Sequence, residues 1–127
     1  MKNFVSRLVG ISVVTLASGF AAEPVAVRDA VKVAPEAFKV LLENERVRVV
    51  EARFGPGVKN PMHSHPDYVI YPLTSYTVRV EARDGTTKVI EVTAGSPRWS
   101  PAVTHADENV ETTEARAVLI ELKEPPK

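Results

Sequence analysis

The stretch NPMHSHPDYVIYP, residues 60–72, decides how the rest of the chain is interpreted. It places His63 and His65 one residue apart, between two prolines, and the whole chain has only one further histidine, His105. Side chains two residues apart on a β-strand point to the same face of the sheet. If this stretch is a strand, both imidazoles are directed towards one point.

The remainder of the chain predicts short antiparallel strands. Asp84-Gly85 separates two alternating segments and is a strong hairpin signal, because both positions of a two-residue turn favour positive φ. No window of a dozen residues beyond position 21 has a convincing helical stripe. Many short strands with turn residues between them favour a sandwich or barrel. The predicted strands are residues 38–44, 46–54, 62–65, 68–73, 76–83, 86–93, 97–101 and 114–123.

The segment THADEN, residues 104–109, is interpreted differently from its neighbours. It has one apolar residue in six and is expected to lead into a solvated turn at residues 107–109. In that interpretation Asn109 hydrogen-bonds backbone groups of the turn.

Length and composition exclude several classes of protein. The chain has 127 residues, enough for one domain, and its formal net charge is zero, with 16 basic and 16 acidic residues. No basic patch stands out, so we expect no nucleic-acid partner. Cysteine is absent, so any metal site must use histidine and oxygen ligands.

Residues 1–21 have the features of a secretory signal peptide. Lys2 and Arg7 give a positive start, the apolar run LVGISVVTLA is too short to span a bilayer, and Gly19 and Ala21 are small residues before a cleavage site. The alternative is a buried or membrane-associated helix. We therefore expect export to a periplasmic or secreted location and no stable membrane span.

The mature chain is predicted to divide into three parts. Residues 22–37 carry two prolines and weak periodicity and are interpreted as an extended N-terminal arm. Residues 38–123 contain the predicted strands and form the β-barrel domain. Residues 124–127 are a Pro-rich tail. An arm of this kind can add to the edge strand of a neighbour, so a homodimer is expected.

The three histidines are candidate metal ligands. His63 and His65 share a face, and His105 could complete the site from another strand. Neutral imidazole suits zinc, copper, iron and nickel, and three ligands on one side leave coordination positions open. The alternative is that all three make ordinary hydrogen bonds.

Two motifs resemble those of the cupin family. GVKNPMHSH, residues 57–65, is similar to the first motif, and GSPRWSPAVTHADEN, residues 95–109, is similar to the second, with a hairpin between them. The resemblance covers about residues 38–123 and implies an all-β fold, a small double-stranded jelly-roll β-barrel. It also implies that His63, His65 and His105 converge inside the barrel on one divalent transition metal, which is iron, nickel, copper, zinc or manganese.

The sequence departs from the family pattern after the second histidine. The family has a glutamate ligand four or five residues later, where this chain has Val69 and Ile70. The site therefore has three histidines, unless Asp67, Tyr71 or Glu51 reaches it; Asp67 is expected to face solvent or cap a turn. Loss of the carboxylate should lower the affinity for hard cations such as manganese.

Four further residues are candidates for the wall of the pocket. Arg98 and Trp99 are neighbours on a strand, so one of them should face inward. Arg98 would offer a carboxylate clamp, whereas Trp99 is interpreted first as a core residue. Tyr68 and Tyr71 could each supply a phenol or simply pack.

These observations lead to a small exported cupin that binds one divalent metal and a small organic ligand or substrate. The resemblance suggests dioxygenase or isomerase chemistry, although the sequence does not establish that the protein is an enzyme. One alternative is a metal-free module that binds a small ligand. Another is a metal-free sugar-modifying enzyme with a histidine as general base, which needs a carboxylate to orient the imidazole. The motifs contain no obvious candidate for that carboxylate.

Overall fold

The computed structural model describes residues 28–124. The predicted signal peptide, residues 22–27 of the predicted arm and residues 125–127 of the tail lie outside this range. Within residues 28–124, no helix is long and apolar enough to cross a membrane.

One short helix and nine strands make up the described part of the chain. They are α1 (Ala30–Val33), β1 (Phe38–Glu43), β2 (Val47–Phe54), β3 (Lys59–His65), β4 (Tyr68–Pro72), β5 (Tyr76–Ala82), β6 (Thr87–Val92), β7 (Arg98–Ser100), β8 (Val103–Asn109) and β9 (Ala115–Leu122).

The strands form two antiparallel sheets that enclose the core. One sheet has the strand order β1-β2-β9-β4-β7 and the other has the order β3-β8-β5-β6. Alternate residues of each strand face the interior, as along β9, where Ala115, Ala117 and Leu119 are buried and the residues between them are more exposed. The all-β jelly-roll fold expected from the sequence is confirmed.

Residues 30–33 are helical instead of extended, which corrects the prediction of an extended arm for this part of residues 22–37. The Asp29 side chain caps the helix by accepting a hydrogen bond from the Val31 backbone N–H. Ala30 and Ala34 are fully buried, and α1 packs against both β1 and β3. A single turn is too short to give a helical stripe in the sequence, so pattern analysis cannot detect it.

The hairpin between β5 and β6 lies where the sequence predicts it, but its turn is of another kind. Ala82 and Thr86 close a three-residue loop through the hydrogen bond from the Ala82 N–H to the Thr86 carbonyl. Gly85 has a φ of 85°, and no non-glycine residue among those described has positive φ. The turn therefore needs one left-handed residue and not the two expected for Asp84-Gly85.

Residues 107–109 belong to strand β8 and are not a solvated turn, which corrects the prediction for THADEN. Asn109 is fully buried, and its amide donates hydrogen bonds to the carbonyls of Phe54 and Thr113. Its partners are backbone groups, as expected, but they lie in the interior. Polar residues can occupy the inner face of β8 because the interior supplies partners for them.

Candidate metal centre

A β-bulge in β3 sets the direction of the first two histidines. Asn60 and His63 on β3 pair with Asp107 and His105 on β8. Three residue steps along β3 therefore oppose two along β8. The extra residue allows Asn60 and His63 to face the interior together, although strict alternation would separate them. His65 follows two residues after His63 on the same face, and all three of these β3 residues are buried.

The three histidines meet inside the barrel. His63 and His105 lie directly opposite each other on neighbouring strands, and their ring centroids are 4.8 Å apart. The His65 ring lies 4.9 Å from that of His63 and 5.6 Å from that of His105. Each residue offers a ring nitrogen that lies within 4.8 Å of those of the other two. Among residues 28–124 these three are the only group of histidines and carboxylates so arranged.

Hydrogen bonds fix the orientation of two of the imidazoles. His63 Nδ1 lies 2.7 Å from the Pro61 carbonyl oxygen, so Nδ1 carries the proton and Nε2 has a free lone pair. That Nε2 is buried and has no hydrogen-bond partner. His65 Nδ1 lies 2.8 Å from Glu121 Oε1. A backbone carbonyl or carboxylate on the far nitrogen is the usual support of a metal-binding histidine.

Burial favours the neutral forms of His63 and His105. Desolvation, with smaller effects of the neighbouring His63 and His65, lowers the pKa of His105 to about 3. Desolvation also lowers the pKa of His63, against the opposing effect of Asp107. Neutral rings have the lone pairs that metal ligation requires, so the cluster fits a divalent cation.

A buried charge network supports His65 from behind. Glu121 accepts hydrogen bonds from His65 Nδ1 at 2.8 Å and from Arg48 Nε at 2.6 Å. The other end of the Arg48 guanidinium binds both carboxylate oxygens of Asp29, at 2.8 and 3.0 Å. Burial opposes ionisation of Glu121, but these hydrogen bonds outweigh it and hold the pKa of that carboxyl below its usual value. Glu121 is therefore an anion that holds the imidazole in place.

A cavity of about 390 Å³ is lined in part by His65 and His105. Tyr68, Arg98 and Trp99 border it, as expected from the sequence, and Tyr71 does not. Tyr71 is instead 44% exposed. Tyr68 is buried, with its ring 5.1 Å from that of His65.

Trp99 borders the cavity from its rim and is not a core residue. Its side chain is 56% exposed, which corrects the interpretation of Trp99 as core. The neighbouring Arg98 pairs with Ile70 on β4 and shares its inward face. Residues next to each other on a strand face opposite sides, so turning Arg98 inward turns Trp99 outward.

Solved structures provide the comparison with known proteins. A cupin domain from Bordetella pertussis Tohama I is 36% identical, with a TM-score of 0.64, and the alignment covers 68% of this chain and 92% of that one. The chain belongs to the cupin family. A cupin superfamily protein from Desulfitobacterium hafniense, 17% identical, aligns over 68% of this chain and 76% of that one, with a TM-score of 0.52.

Another solved structure with this cupin fold is the polyketide cyclase RemF from Streptomyces resistomycificus. It is 20% identical, with a TM-score of 0.54 over 71% of this chain and 66% of that one. The sequence matches no known family profile and is similar to no curated protein.

This cupin has no fourth protein ligand among the residues considered from its sequence. Asp67 is exposed and accepts a hydrogen bond from the Ala102 N–H, as expected of a turn cap. Glu51 pairs with Arg116, and Tyr71 is exposed. None of the three candidates belongs to the histidine cluster.

The position of the missing family glutamate is occupied by a hydrocarbon side chain. Ile70 lines the cavity, while Val69 lies on the opposite face of β4. The cupin therefore presents an apolar surface beside its histidines where a carboxylate would otherwise stand.

Two functional carboxylates were missed from the sequence. Glu121 lies on the same face of β9 as the buried Ala117 and Leu119, and a charged residue at an apolar position was the available signal. Asp107 faces the cavity and accepts a hydrogen bond from Asn60 Nδ2 at 2.7 Å. Its strand was interpreted as a turn, so its direction could not be predicted.

Proposed function

We propose that this cupin binds one divalent transition metal through His63, His65 and His105. The observation that carries the proposal is the Nε2 lone pair of His63, which is buried, has no hydrogen-bond partner and faces two further imidazoles. An unsatisfied buried polar atom destabilises a protein by about 1–3 kcal/mol, and metal ligation would satisfy this one. The hydrogen bonds on the far nitrogens of His63 and His65 already favour the tautomers that ligation needs.

The donor set favours iron, nickel, copper or zinc over manganese. Neutral imidazoles are intermediate between hard and soft ligands, and the cluster contains no carboxylate to favour a hard cation. When bound, such a metal would supply Lewis acidity at coordination positions open to the cavity. The chain itself would exclude water through its apolar walls and hold the imidazoles in fixed directions. We propose a small organic molecule as the ligand and dioxygenase or isomerase chemistry as the reaction.

The experiment is calorimetric titration of chelator-treated protein with Zn²⁺ and Fe²⁺. We expect one ion per chain, and a loss of binding of at least a hundredfold in His63→Gln and in His105→Ala. Asp67→Asn is the matched control, because its carboxylate caps a turn near the site without belonging to the histidine cluster. Retained affinity in both histidine variants would contradict the proposal.

A second candidate function rests on the pair formed by His65 and Glu121. The 2.8 Å hydrogen bond between them supplies the carboxylate that a metal-free acid–base mechanism requires and that the sequence motifs lacked. In that case the protein would act on its ligand without a metal. A simple ligand-binding module is the corresponding non-catalytic alternative. The same metal titration separates the leading proposal from the acid–base enzyme and the ligand-binding module, because neither of these two needs to bind a metal.

Export and dimerisation are further proposals. Export to the periplasm or out of the cell is supported by the features of residues 1–21, which are those of a secretory signal peptide. Dimerisation is supported by the edge position of β1, which leaves one side of that strand unpaired among residues 28–124. Leu41 and Leu42 on this strand are both about half exposed.

A further inference from the structure

The two sides of the barrel are closed to different extents. Strands β1 and β3 are edge strands of the two sheets, and α1 packs against both and covers the side between them. The other two edge strands are β6 and β7, and among residues 28–124 no helix packs across them. Residues of both strands line the cavity. The cavity therefore opens between β6 and β7.

Each of these two edge strands places a cation on its inner face. Lys88 on β6 pairs with Val80 on β5, and Arg98 on β7 pairs with Ile70 on β4. Directly paired residues share a face, and all four residues line the cavity. Two positive charges from different sheets thus flank one opening.

Neither cation has a carboxylate partner within residues 28–124. The ion pairs of residues 28–124 use other basic residues, such as Arg79, which binds Glu108 at 2.8 Å on the outer face of its sheet. The carboxylate that lines the cavity, Asp107, has one oxygen bound to Asn60. With a divalent ion at the histidines, the cavity would have more positive than negative charge, which favours an organic anion.

Most of the residues that line the cavity between the opening and the histidines are apolar. The cavity volume of about 390 Å³ lies at the small end of the range of roughly 300–1,000 Å³ for small-molecule sites. A ligand that fills this space must bury an apolar body. The apolar lining residues include Phe54, Ile70, Val78, Val80, Ile90 and Leu119.

We propose that the cavity binds a small monocarboxylate with an apolar body, its carboxylate held at the mouth by Arg98 and Lys88 and its hydrocarbon part directed towards the histidines. The planar guanidinium can hold both carboxylate oxygens, and Lys88 adds a second charge. The inference rests on the proposed function, since it names the ligand class of the same site. It also places the part of the ligand remote from its carboxylate beside His65 and His105, the two histidines that line the cavity.

The test is isothermal titration of the metal-loaded, full mature chain with three matched probes. These are 3-phenylpropanoate, the neutral 3-phenylpropanamide and the cationic 3-phenylpropylamine, which share one apolar body. We expect the acid to bind at least tenfold more tightly than the amide and the amine not to bind. Arg98→Gln should weaken binding of the acid about tenfold and leave the amide unchanged. Arg79→Gln, an arginine on the outer face, is the control and should change neither.

Several outcomes would overturn the proposal. They are equal affinity for acid and amide, no binding of the acid at millimolar concentration, and unchanged acid binding in the double variant Arg98→Gln/Lys88→Gln. Acid binding that disappears on metal removal but survives Arg98→Gln would place the carboxylate on the metal and overturn it as well. Metal content is measured on the same samples. A protein that takes up no metal but still binds the acid through Arg98 would refute the proposed metal function and support the ligand class.

Discussion

At the scale of single residues, Glu121 determines how His65 can act. It is the one acidic side chain on the inner face of β9, and it joins the imidazole to Arg48 and hence to Asp29 next to the helix. Removing its charge would leave His65 Nδ1 with a weaker hydrogen-bond acceptor. It would also leave the Nε side of the Arg48 guanidinium without an anionic partner. The network therefore makes ligand orientation depend on residues that do not contact the cavity.

We expect Glu121→Gln to weaken metal binding by about tenfold to a hundredfold, because the support behind a ligating imidazole sets its orientation and basicity. The measurement is competition with a chromophoric chelator, with circular dichroism to verify the fold. Glu43→Gln is the control, since Glu43 forms an exposed pair with Lys123 on the surface. Unchanged affinity in Glu121→Gln would show that the carboxylate does not support the site.

The metal-free protein should lose stability as the pH falls from about 6.5 to 4. Burial holds the pKa of His63 and His105 below 6.5, so over this range the unfolded chain binds more protons than the folded one. The pKa of Glu121 in the folded protein is also lowered, so its contribution to stability is likewise lost as the pH falls below the usual pKa of a glutamate. Asp107, whose pKa is raised by burial, opposes the trend, since its contribution is lost as the pH rises.

Thermal unfolding across this pH range checks the expectation. The transition temperature of the metal-free wild type should fall steadily on acidification, and His105→Gln should show a shallower dependence because one buried titrating group has been removed. A transition temperature that stays constant across the range would contradict the lowered pKa values of His63 and His105.

At the scale of elements, the β5–β6 hairpin depends on one backbone conformation. Gly85 has a φ of 85°, and a Cβ added there would meet nothing within 4 Å. The change Gly85→Ala should therefore destabilise the fold through backbone strain alone, by about 1–2 kcal/mol. Gly55→Ala is the control, because Gly55 has no positive φ and its added Cβ would meet only a Val58 methyl at 3.9 Å.

Urea unfolding measures both glycine variants. We expect a lower midpoint for Gly85→Ala and a midpoint near that of the wild type for Gly55→Ala. Equal midpoints would mean that the left-handed turn is not required by the hairpin.

Periodicity was a good guide for most strands and failed at two elements for physical reasons. The alternation in 46–54, 76–83 and 114–123 reflects one buried and one exposed face, which a single sequence can show. The inner face of strand β8 is polar, because its side chains find hydrogen-bond partners in the interior. Its sequence therefore resembles that of a loop. Helix α1 is a single turn stabilised by a cap and by packing, neither of which gives a period.

At the scale of the whole molecule, the convergence of the three histidines could be predicted, but the residues that support them could not. His63 and His65 are two residues apart, and their direction follows from strand geometry together with the family motif. Arg48 and Glu121 are paired across β2 and β9, and they reach His65 only because their sheet packs against the sheet that contains β3. Strand order is set by the packing of the complete chain and cannot be predicted from the spacing of residues along the sequence.

The mature protein is expected to be a homodimer that associates through β1. Light scattering coupled to size-exclusion chromatography should give twice the mass of the mature chain. The double variant Leu41→Lys/Leu42→Lys should be monomeric, because charges on an edge strand oppose strand pairing. Val89→Lys changes an exposed residue of the edge strand β6; it is the control and should leave the mass unchanged. A monomeric wild type would refute the dimer.

The central claim is that the three buried histidines hold a metal, and elemental analysis of the mature protein isolated from its native compartment tests it most directly. The three neighbouring histidines, and the buried Nε2 of His63 that has no hydrogen-bond partner, lead us to expect close to one transition-metal ion per chain. The same protein carrying His63→Gln should contain almost none. Wild-type protein that is free of metal, and that takes up none on reconstitution, would contradict the claim.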